Sequence, residues 1–418
     1  MNESVGACGP LAGIRVLDLS RVLAGPWATQ VLGDLGAEVL KIEQPGKGDD
    51  TRHWGPPFLD DGSGDAAYYL AINRNKRSLE IDIAKPEGAE IIRKLALESD
   101  IVVENFRVGG LAKYGLDYAS LARLKPDLIY CSVTGFGQDG PYADRGGYDF
   151  LVQGMSGLMS VTGRPDGEPG AGPMKVGVPV ADLFTGLNAT IAILAALRHR
   201  DATGQGQHID CALLDSQVAM LANQASNWLN GGVTPGRLGN DHPNVIPYRD
   251  FRTADGNVLV ALGNDRQFFR FCKLIGRDDL AEDARFGSNA ARAANRPALM
   301  AALEETIVHW TSAELIAAME AEGLPGGPVN TIPQIFADPQ IAARGVVQTM
   351  TRDTGVRVQV PGFPPRLSAS PASYRTAPPR LGADTETVLA ERLGLGAGDM
   401  ESLRQAGVIG GSQVEKAS

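Results

Sequence analysis

The sequence predicts an α/β protein in which a large domain, built on an open parallel β-sheet, is interrupted by a smaller α+β domain. Strand–helix–strand patterns repeat along the first third of the chain, as in parallel sheets with helices on both faces. Two stretches rich in Gly and Pro, 230–247 and 323–333, enclose a segment of different character. With 418 residues and 43% apolar composition, the chain can bury a sizeable core.

The first forty residues carry the clearest pattern. Ile14–Leu19 is expected to form a strand, Pro26 to lie in the first turn of a helix, and Glu38–Ile42 to form a second strand. Gly36 suits the left-handed position that follows a helix. A strand, a helix and a strand within about 30 residues make a βαβ unit with parallel strands.

The alternation of strands and helices continues after this unit. Further strands are predicted at Ser78–Ile83, Asp100–Asn105, Asp127–Val133 and His208–Leu214, and helices from Pro86, at Leu111–Lys113 or Tyr118–Leu124, at Tyr148–Ser160 and at Pro179–Arg200. The apolar part of the last helix is expected to be too short and too interrupted to span a bilayer.

The segment between the two Gly/Pro stretches has a different pattern. A hairpin is expected at 248–264, with its turn at Asp255–Gly256. Three amphipathic helices follow it in the sequence, near Arg266–Leu274, Arg296–Ile307 and Ser312–Ala321. After the second stretch, short helices and a hairpin near Val346–Val360 are predicted.

Charge and residue usage disfavour several classes of protein. The net charge of −10 argues against a nucleic-acid surface. The five histidines show no ligand spacing, which argues against a metal site. The N-terminus has no signal-peptide pattern, so a cytoplasmic location is expected. The four cysteines are widely scattered and are expected to be reduced thiols: Cys8, Cys131, Cys211 and Cys272.

The turn SRVLAGP, after the first strand, occupies the place where a dinucleotide-binding fold holds a pyrophosphate. A helix N-terminus offers free N–H groups there, and Glu43 ends the second strand as a ribose-binding acid would. Of the G-x-G-x-x-G fingerprint, however, only Gly25 is present. From this segment alone, a nucleotide site and an ordinary βα turn both remain open.

Basic and aromatic residues lie beside two other predicted strands. Lys76 precedes one strand, Asn105, Phe106 and Arg107 follow another, and Lys113 comes shortly after. Because parallel sheets bind ligands at the carboxyl ends of their strands, a phosphorylated, adenine-bearing ligand would fit these residues. Solvated surface cations and a core phenylalanine are the alternative.

Asp182, in VPVADLFTG, is the candidate for covalent chemistry. A carboxylate near a helix N-terminus is stabilised as an anion, and an anionic carboxylate can attack an acyl group. An ordinary aspartate at a helix start is the alternative. Similarly, Gly263 and Asn264 follow a strand, where their backbone could donate N–H groups to an oxyanion or simply begin a helix.

Several segments in order resemble one family. LAGIRVLDLSRVLAGPWATQVLGDLGAEVLKIEQPGKGD resembles the N-terminus of the family III CoA-transferases, and later motifs of that family follow in sequence: NRNKRSLEIDI, VVENFR, YCSVTGFGQDGPY, GYDFLVQGMSGLMSVTG, VGVPVADLFTG and TGQGQHIDCALLD. GNDHPNVIPYRDFRTADGNVLVALGNDRQF is similar to the succinyl-CoA:glutarate, or dicarboxylate, branch.

The resemblance implies a fold. It implies a Rossmann-like large domain formed by both chain ends, 1–229 and 334–418, with linkers at 230–247 and 323–333 and a small α+β domain at 248–322. It also implies a homodimer whose two subunits are interlocked.

The resemblance also implies a mechanism. Asp182 matches the aspartate that attacks an acyl-CoA thioester and forms a mixed anhydride. The coenzyme A thioester is then a substrate, and no permanently bound cofactor or metal is expected. The positions that match CoA contacts are Lys76, Asn105, Phe106, Arg107 and Lys113, and those that match the mobile glycine loop are Gly263 and Asn264.

The chain departs from the formyl-CoA enzyme of this family. Arg21, Leu23, Thr134 and Phe136 replace that enzyme's His, Gln, Lys and Tyr, which makes formate and oxalate poor substrates. A larger, dicarboxylic acyl group such as succinyl is expected, with a free carboxylic acid as acceptor. Arg21 or Arg52 is the predicted partner of the distal carboxylate.

Three other functions are alternatives for this sequence. An α-methylacyl-CoA racemase on the same fold is disfavoured because Tyr148 stands where that enzyme has its base histidine. A non-catalytic CoA-binding protein is disfavoured by Asp182 at its motif position. A nicotinamide dehydrogenase is disfavoured by the missing glycine fingerprint. Neither nucleic acid nor a membrane is expected as a partner.

Overall fold

The structure is a computed structural model, and it describes residues 9–411. The chain forms two compact units, which we call the large and the small unit. The small unit consists of Met159–Met174 and Thr234–Ala343, and the large unit of the remaining described residues. The small unit therefore includes a short segment from within the N-terminal part of the chain and extends beyond the predicted 248–322. Cys8 lies outside the described residues.

The strands, in chain order, are β1 Arg15–Asp18, β2 Glu38–Glu43, β3 Lys76–Glu80, β4 Ile101–Glu104, β5 Ile129–Thr134, β6 Gln207–Ala212, β7 Tyr248–Arg252, β8 Asn257–Ala261, β9 Gly326–Pro328, β10 Val347–Thr351 and β11 Arg357–Pro361. The α-helices are α1 Ala24–Asp34, α2 Ala67–Ala71, α3 Pro86–Leu97, α4 Tyr118–Leu124, α5 Asp149–Met155, α6 Leu158–Val161, α7 Val180–Thr203, α8 Leu213–Met220, α9 Ala222–Leu229, α10 Asp265–Leu274, α11 Asp278–Glu282, α12 Asn289–Ala294, α13 Arg296–Ile307, α14 Ser312–Ala321, α15 Ile332–Ala337, α16 Pro339–Ala343, α17 Thr385–Leu393 and α18 Ala397–Gln405. Short 3-10 helices lie at Asp50–His53 and Ala112–Tyr114.

The large unit is built on a six-stranded parallel sheet of order β3-β2-β1-β4-β5-β6, which confirms the predicted parallel sheet. The chain moves outward in one direction from β1 to β2 and β3, and in the other direction from β4 to β6. The strand order therefore reverses between β1 and β4. In open α/β sheets, ligands bind outside the carboxyl ends of the strands at such a switch point.

Helices cover both faces of this sheet. One apolar core joins the strands to α1, α7 and the start of α8, and a second joins them to α3, α4, α17 and α18. The contact between α1 and α7 is close, because a Cβ atom at Gly186 would lie 2.6 Å from the carbonyl oxygen of Ala24. The long apolar helix predicted from the sequence, α7, thus packs against the sheet.

Helix α7 is longer than predicted and corrects the expectation about its length. Its 24 residues, with a mean hydropathy of 1.7 over the most apolar window, are long and apolar enough to cross a membrane by length and composition alone. Only 44% of that window is buried, and Leu187 and Ile191 are exposed. The helix therefore combines a core face with an exposed apolar face.

The small unit contains a three-stranded antiparallel sheet, β7-β8-β9, and helices α10 to α14. The predicted hairpin and its three helices are present, and β9 adds a strand inside the predicted linker 323–333. Its apolar core draws its members from residues 246–324, including Phe268, Phe271 and Leu303.

The C-terminal part of the chain returns to the large unit. In the turn of the β10–β11 hairpin, Arg352 forms buried ion pairs with Asp61 and Asp65. Ile409 forms an isolated bridge with Ile81, just after β3. Both chain ends therefore contribute to one unit.

One predicted helix and one predicted strand end earlier in the structure than the sequence suggests. The helix expected over Tyr148–Ser160 is broken at Gly157, whose φ of +91° is a left-handed value. The strand expected over His208–Leu214 ends at Ala212, because Leu213 begins α8 and is buried in the core of the sheet.

Candidate active site

Asp182 lies in the first turn of α7, as the sequence predicts. Its carboxyl group is largely buried, and burial raises its pKa to about 7, with the charge of Asp149 as the second cause. Neither cause is a hydrogen bond. A carboxylate with little solvation is a stronger nucleophile than one held by several donors, so this environment suits attack on an acyl group.

Asp149 fixes the backbone in front of Asp182. The backbone N–H of Ala181 donates to one Asp149 carboxylate oxygen at 2.8 Å, and the Gln153 amide donates to the other at 2.7 Å. The Gln153 side-chain oxygen Oε1 in turn accepts from the N–H of Val176 at 2.9 Å. Helix α5 thereby sets where α7 begins.

Tyr68 is a site residue that sequence reasoning missed. Burial raises the pKa of its phenol to about 12, and the charges of Asp182, Asp149 and Asp49 contribute. The phenol therefore stays protonated at neutral pH and keeps its O–H as a hydrogen-bond donor. Its ring packs edge-on against Trp54, with centroids 5.4 Å apart. No motif marked this position in the sequence.

A cleft of about 290 Å³ opens at the carboxyl ends of β1, β2, β3 and β4, where the strand order reverses. Arg21, Asp49 and Phe106 lie in its wall, together with residues that follow β3. Asp49 links this cleft to the catalytic candidate, because its charge also acts on Tyr68. The charges of Asp49 and Asp182 thus both act on the Tyr68 phenol.

The loop that follows β1 is strained. Val22 adopts φ +69°, which is rare for a β-branched residue, and its N–H donates to both carboxylate oxygens of Asp49 at 3.3 Å. Gly25 allows its helix to pack closely against Ser20, because a Cβ atom at this position would lie 2.4 Å from the Ser20 hydroxyl oxygen. The missing side chain thus makes room for Ser20 and not for a ligand. The strained Val22 directly follows Arg21, which lines the cleft.

The structure separates the predicted CoA contacts into groups. Phe106 lines the cleft, and Asn105 braces it, since its amide and the backbone of Arg21 exchange hydrogen bonds of 3.0 and 2.6 Å. Arg107 is exposed and lines a second cavity. Lys113 is exposed and lies 4.7 Å from the centre of the Tyr114 ring.

The geometry argues against a phosphate contact by Lys76. Its side chain is fully buried, and its ammonium donates to Asp18 at 3.1 Å, to the Pro26 carbonyl at 2.9 Å and to Asn73 at 2.9 Å. All three ammonium hydrogens are therefore used within the protein. The sequence suggested an exposed cation because Lys76 follows a polar loop, but it begins β3 and points into the interior.

Arg52 is likewise unable to serve as the predicted partner of a substrate carboxylate. Its guanidinium is buried and bonded at 2.8 Å to Glu43 and to Asp65, and it also donates to the Tyr69 hydroxyl. Arg21, in contrast, is 58% exposed and pairs only with the partly exposed Asp50 at 3.0 Å. Of the two arginines, Arg21 alone has a guanidinium that a ligand can reach.

Gly263 and Asn264 belong to the small unit and lie between β8 and α10. Asn264 is the N-cap of α10, where its side chain accepts from the N–H of Gln267 at 3.0 Å. The N–H of Gly263 donates to the Gln267 side chain at 2.8 Å. In this conformation the turn caps its own helix, and the Gly263 N–H is already occupied.

No metal centre is found within residues 9–411, since no three His, Cys, Asp or Glu side chains lie together in a way that could hold an ion. The described cysteines, Cys131, Cys211 and Cys272, are free and buried.

Comparison with known proteins identifies the family of this chain. The family model for CoA-transferase family III matches residues 11–385. A succinate–glutarate CoA-transferase from Agrobacterium fabrum is 51% identical over 91% of this chain and 95% of its own length. The human succinyl-CoA:glutarate CoA-transferase is 42% identical over 96% of this chain and 90% of its own length.

A solved structure is also similar. The crystal structure of a CAIB/BAIF family protein from Brucella suis matches with a TM-score of 0.82 and 49% sequence identity, covering 92% of this chain and all of that chain. With a family model that spans most of the sequence and relatives well above 30% identity, the chain belongs to CoA-transferase family III.

Proposed function

We propose that this protein transfers CoA from succinyl-CoA, or another dicarboxylic acyl-CoA, to a free carboxylic acid through an acyl anhydride on Asp182. The observation that supports this most strongly is the buried Asp182 carboxyl, with its raised pKa, at the start of α7. The names of the relatives support succinyl-CoA as donor and glutarate as acceptor. They also favour transfer over the racemase and the non-catalytic alternatives.

In the proposed reaction an Asp182 oxygen attacks the thioester carbonyl carbon. The C–S bond breaks, CoA leaves as the thiolate, and the acyl group stays on Asp182 as a mixed anhydride. The acceptor carboxylate attacks the Asp182 side-chain carbonyl carbon of the anhydride, and the donor acid leaves as its carboxylate. The CoA thiolate then attacks the acceptor acyl carbonyl, which forms the new thioester and frees the Asp182 carboxylate. One thioester and one carboxylate are present before and after, so the exchange needs no further energy source.

Other side chains support these steps. The Tyr68 phenol, which is protonated and whose pKa responds to the charge of Asp182, is proposed to donate a hydrogen bond to the negative charge that develops on the acyl oxygen. The cleft at the switch point is proposed to bind the CoA thioester, with Arg21 and Phe106 in its wall.

Trapping of the covalent intermediate tests the mechanism. Incubation with succinyl-CoA and hydroxylamine should convert Asp182 to its hydroxamate, which peptide mass spectrometry detects at that residue alone. Asp182→Asn removes the attacking anion, so we expect transfer to fall by several orders of magnitude while the protein stays folded. Near-normal transfer by this variant would contradict the assignment.

The donor preference is tested with a matrix of acyl-CoA donors against free carboxylic acids, read by mass spectrometry of the CoA products. We expect succinyl- and glutaryl-CoA to outperform acetyl-CoA. Arg21→Gln should weaken that preference, because the distal carboxylate would lose its proposed partner. A wild-type preference for acetyl-CoA would refute the dicarboxylate proposal and leave the family assignment intact.

We further propose that two copies form an interlocked homodimer in the cytoplasm. Large apolar side chains are exposed on helices of the large unit, among them Phe150 on α5, Ile191 on α7, and Trp228 and Leu229 on α9. Apolar surface of this extent is typical of a subunit interface. Native mass spectrometry should show a dimer, and a stable monomer at micromolar concentration would refute it.

A further inference from the structure

A second polar cluster lies next to the cleft, and the reaction proposed above does not use it. Glu104 ends β4, Ser132 lies opposite it on β5, and His208 lies on β6. Glu104 and Ser132 are partners in the β4–β5 register, and Ser132 lowers the pKa of the Glu104 carboxyl. The Ser132 hydroxyl contacts the His208 ring nitrogen Nε2 at 2.9 Å. The three side chains thus lie together across three strands and line one cavity.

Glu104 connects this cluster to the backbone of the cleft wall. The second Glu104 carboxylate oxygen accepts from the N–H of Phe106 at 2.7 Å. Phe106 faces the cleft, whereas Glu104, Ser132 and His208 line a separate cavity of about 240 Å³ on the other side of the turn. The segment from Glu104 to Arg107 is therefore the partition between two cavities.

At the other end of this cluster, His208 is held by two aromatic rings. The His208 ring stacks on Tyr118, with centroids 4.9 Å apart and planes 16° apart, and lies edge-on to Tyr130. The Tyr130 hydroxyl donates to the Leu116 carbonyl at 2.9 Å. These contacts fix His208, which in turn fixes the Ser132 hydroxyl.

Glu104 is poorly explained as a stabilising residue. It is 6% exposed, and burial raises its pKa, with only the hydrogen bonds from Ser132 and Phe106 acting in the opposite direction. Among the described residues, no Lys or Arg forms an ion pair with it. A buried carboxyl group without a cation destabilises a fold relative to an apolar side chain of similar size.

We propose that Glu104, held by Ser132 and His208, is a positioning residue that fixes the Asn105–Phe106 turn and so sets the affinity of the cleft for the CoA moiety. This inference rests on the proposed function, since it assigns a control of the same cleft. Asn105 ties the turn to the loop after β1, and Glu104 ties it to the sheet, so loss of Glu104 leaves Phe106 free to move.

The test compares two substitutions of Glu104 in the full-length protein. Free CoA is the probe in calorimetric titration, and succinyl-CoA with glutarate is used in steady-state kinetics. Glu104→Leu should raise the Kd of CoA and the KM of succinyl-CoA about tenfold, as expected for loss of one charge-assisted hydrogen bond. The KM of glutarate should stay unchanged. Glu104→Gln keeps an acceptor for the Phe106 N–H and should restore most of the affinity.

Two further variants sharpen the test. Ser132→Ala should raise the KM of succinyl-CoA in the same direction but less, and it decides the question if Glu104→Leu does not fold. Ser99→Ala is the matched control, because this buried hydroxyl donates to the Leu95 carbonyl at 2.8 Å, at the end of α3. It should leave both KM values unchanged.

The outcomes separate this inference from the proposed function. Failure of the wild-type protein to bind free CoA would overturn both. Normal wild-type binding, with Glu104→Leu unchanged or with Glu104→Gln as impaired as Glu104→Leu, would overturn the positioning role alone. An equal rise in the KM of glutarate would also overturn it, because a purely structural loss would affect both substrates.

Discussion

At Asp182, burial and the charge of Asp149 act in the same direction, and both favour the protonated carboxyl. The proposed nucleophile is the anion, so the two requirements oppose each other at neutral pH. The acidity of this one group is therefore expected to be visible in both catalysis and stability.

The first prediction concerns the pH dependence of the reaction. Since the pKa of Asp182 is about 7, kcat/KM for succinyl-CoA should rise with pH and level off above that value. Asp149→Asn removes the second cause of the raised pKa, so the rise should move to lower pH. A profile that is flat between pH 6 and 8, or unmoved in the variant, would contradict the assignment.

The second prediction concerns stability. Because the folded pKa of Asp182 lies above the ordinary value of 3.8, folding binds a proton at intermediate pH and stability falls as pH rises from about 4 to 7. Asp182→Asn should therefore raise the free energy of unfolding at pH 8 by up to about 4 kcal/mol, and hardly change it near pH 4. Denaturant unfolding at both pH values measures the difference; an equal effect at both would argue against a raised pKa.

At the scale of elements, a cluster of buried ion pairs connects the β10–β11 hairpin to the rest of the large unit. Arg352 bonds Asp61 at 2.6 Å and Asp65 at 2.5 Å, and Asp65 also bonds Arg52. Every member is nearly inaccessible to water. Removal of one member leaves buried charges unpaired, which is costly.

The third prediction compares two arginines near this hairpin. Arg352→Met should lower the free energy of unfolding by about 3–5 kcal/mol, since Asp61 and Asp65 lose a buried partner. Arg380→Met is the control, because Arg380 pairs with the half-exposed Asp353 and its loss should cost about 1 kcal/mol or less. Similar losses in the two variants would show that the cluster does not make this connection.

The sequence is informative about elements whose periodicity is local. The βαβ start, α3, α13, α14 and both hairpins lie within a few residues of their predicted positions, because turn residues and apolar spacing specify them. Strand β9 could not be predicted, since its short Gly-Gly-Pro sequence becomes a strand only by pairing with β8. The formation of β9 therefore depends on pairing with a strand that is distant in sequence.

The candidate site shows the same limit. Asp182 and Phe106 lie in elements that the sequence identifies, whereas Tyr68 comes near Asp182 only through folding. Lys76 and Arg52 were misjudged for one reason: the sequence shows a charge but not the buried acids that neutralise it. Burial of a cation depends on distant partners, which local spacing does not show.

At the scale of the whole molecule, the two units have separate apolar cores. The core of the small unit is drawn from residues 246–324, and the cores around the six-stranded sheet are drawn from the large unit. The candidate cleft lies entirely within the large unit. The integrity of the cleft should therefore not depend on the packing of the small unit.

The fourth prediction tests this independence. Leu303→Ala, in the middle of the small-unit core, should destabilise that unit by about 2–5 kcal/mol. Hydrogen exchange should become faster within 246–324, while the affinity for free CoA changes less than about twofold. A large loss of CoA affinity would show that the cleft depends on the small unit.

The contact between Arg352 and Asp65 spans 287 residues of chain. During synthesis at about 5–20 residues per second, roughly 15–60 seconds pass between the appearance of the acid and that of its arginine. Throughout that interval the nascent large unit carries acidic groups that it cannot bury and a sheet whose flank is uncovered. The whole small unit is translated in the meantime. The large unit, whose synthesis starts first, is therefore completed last. The rate of translation sets the earliest time at which the large unit can finish folding.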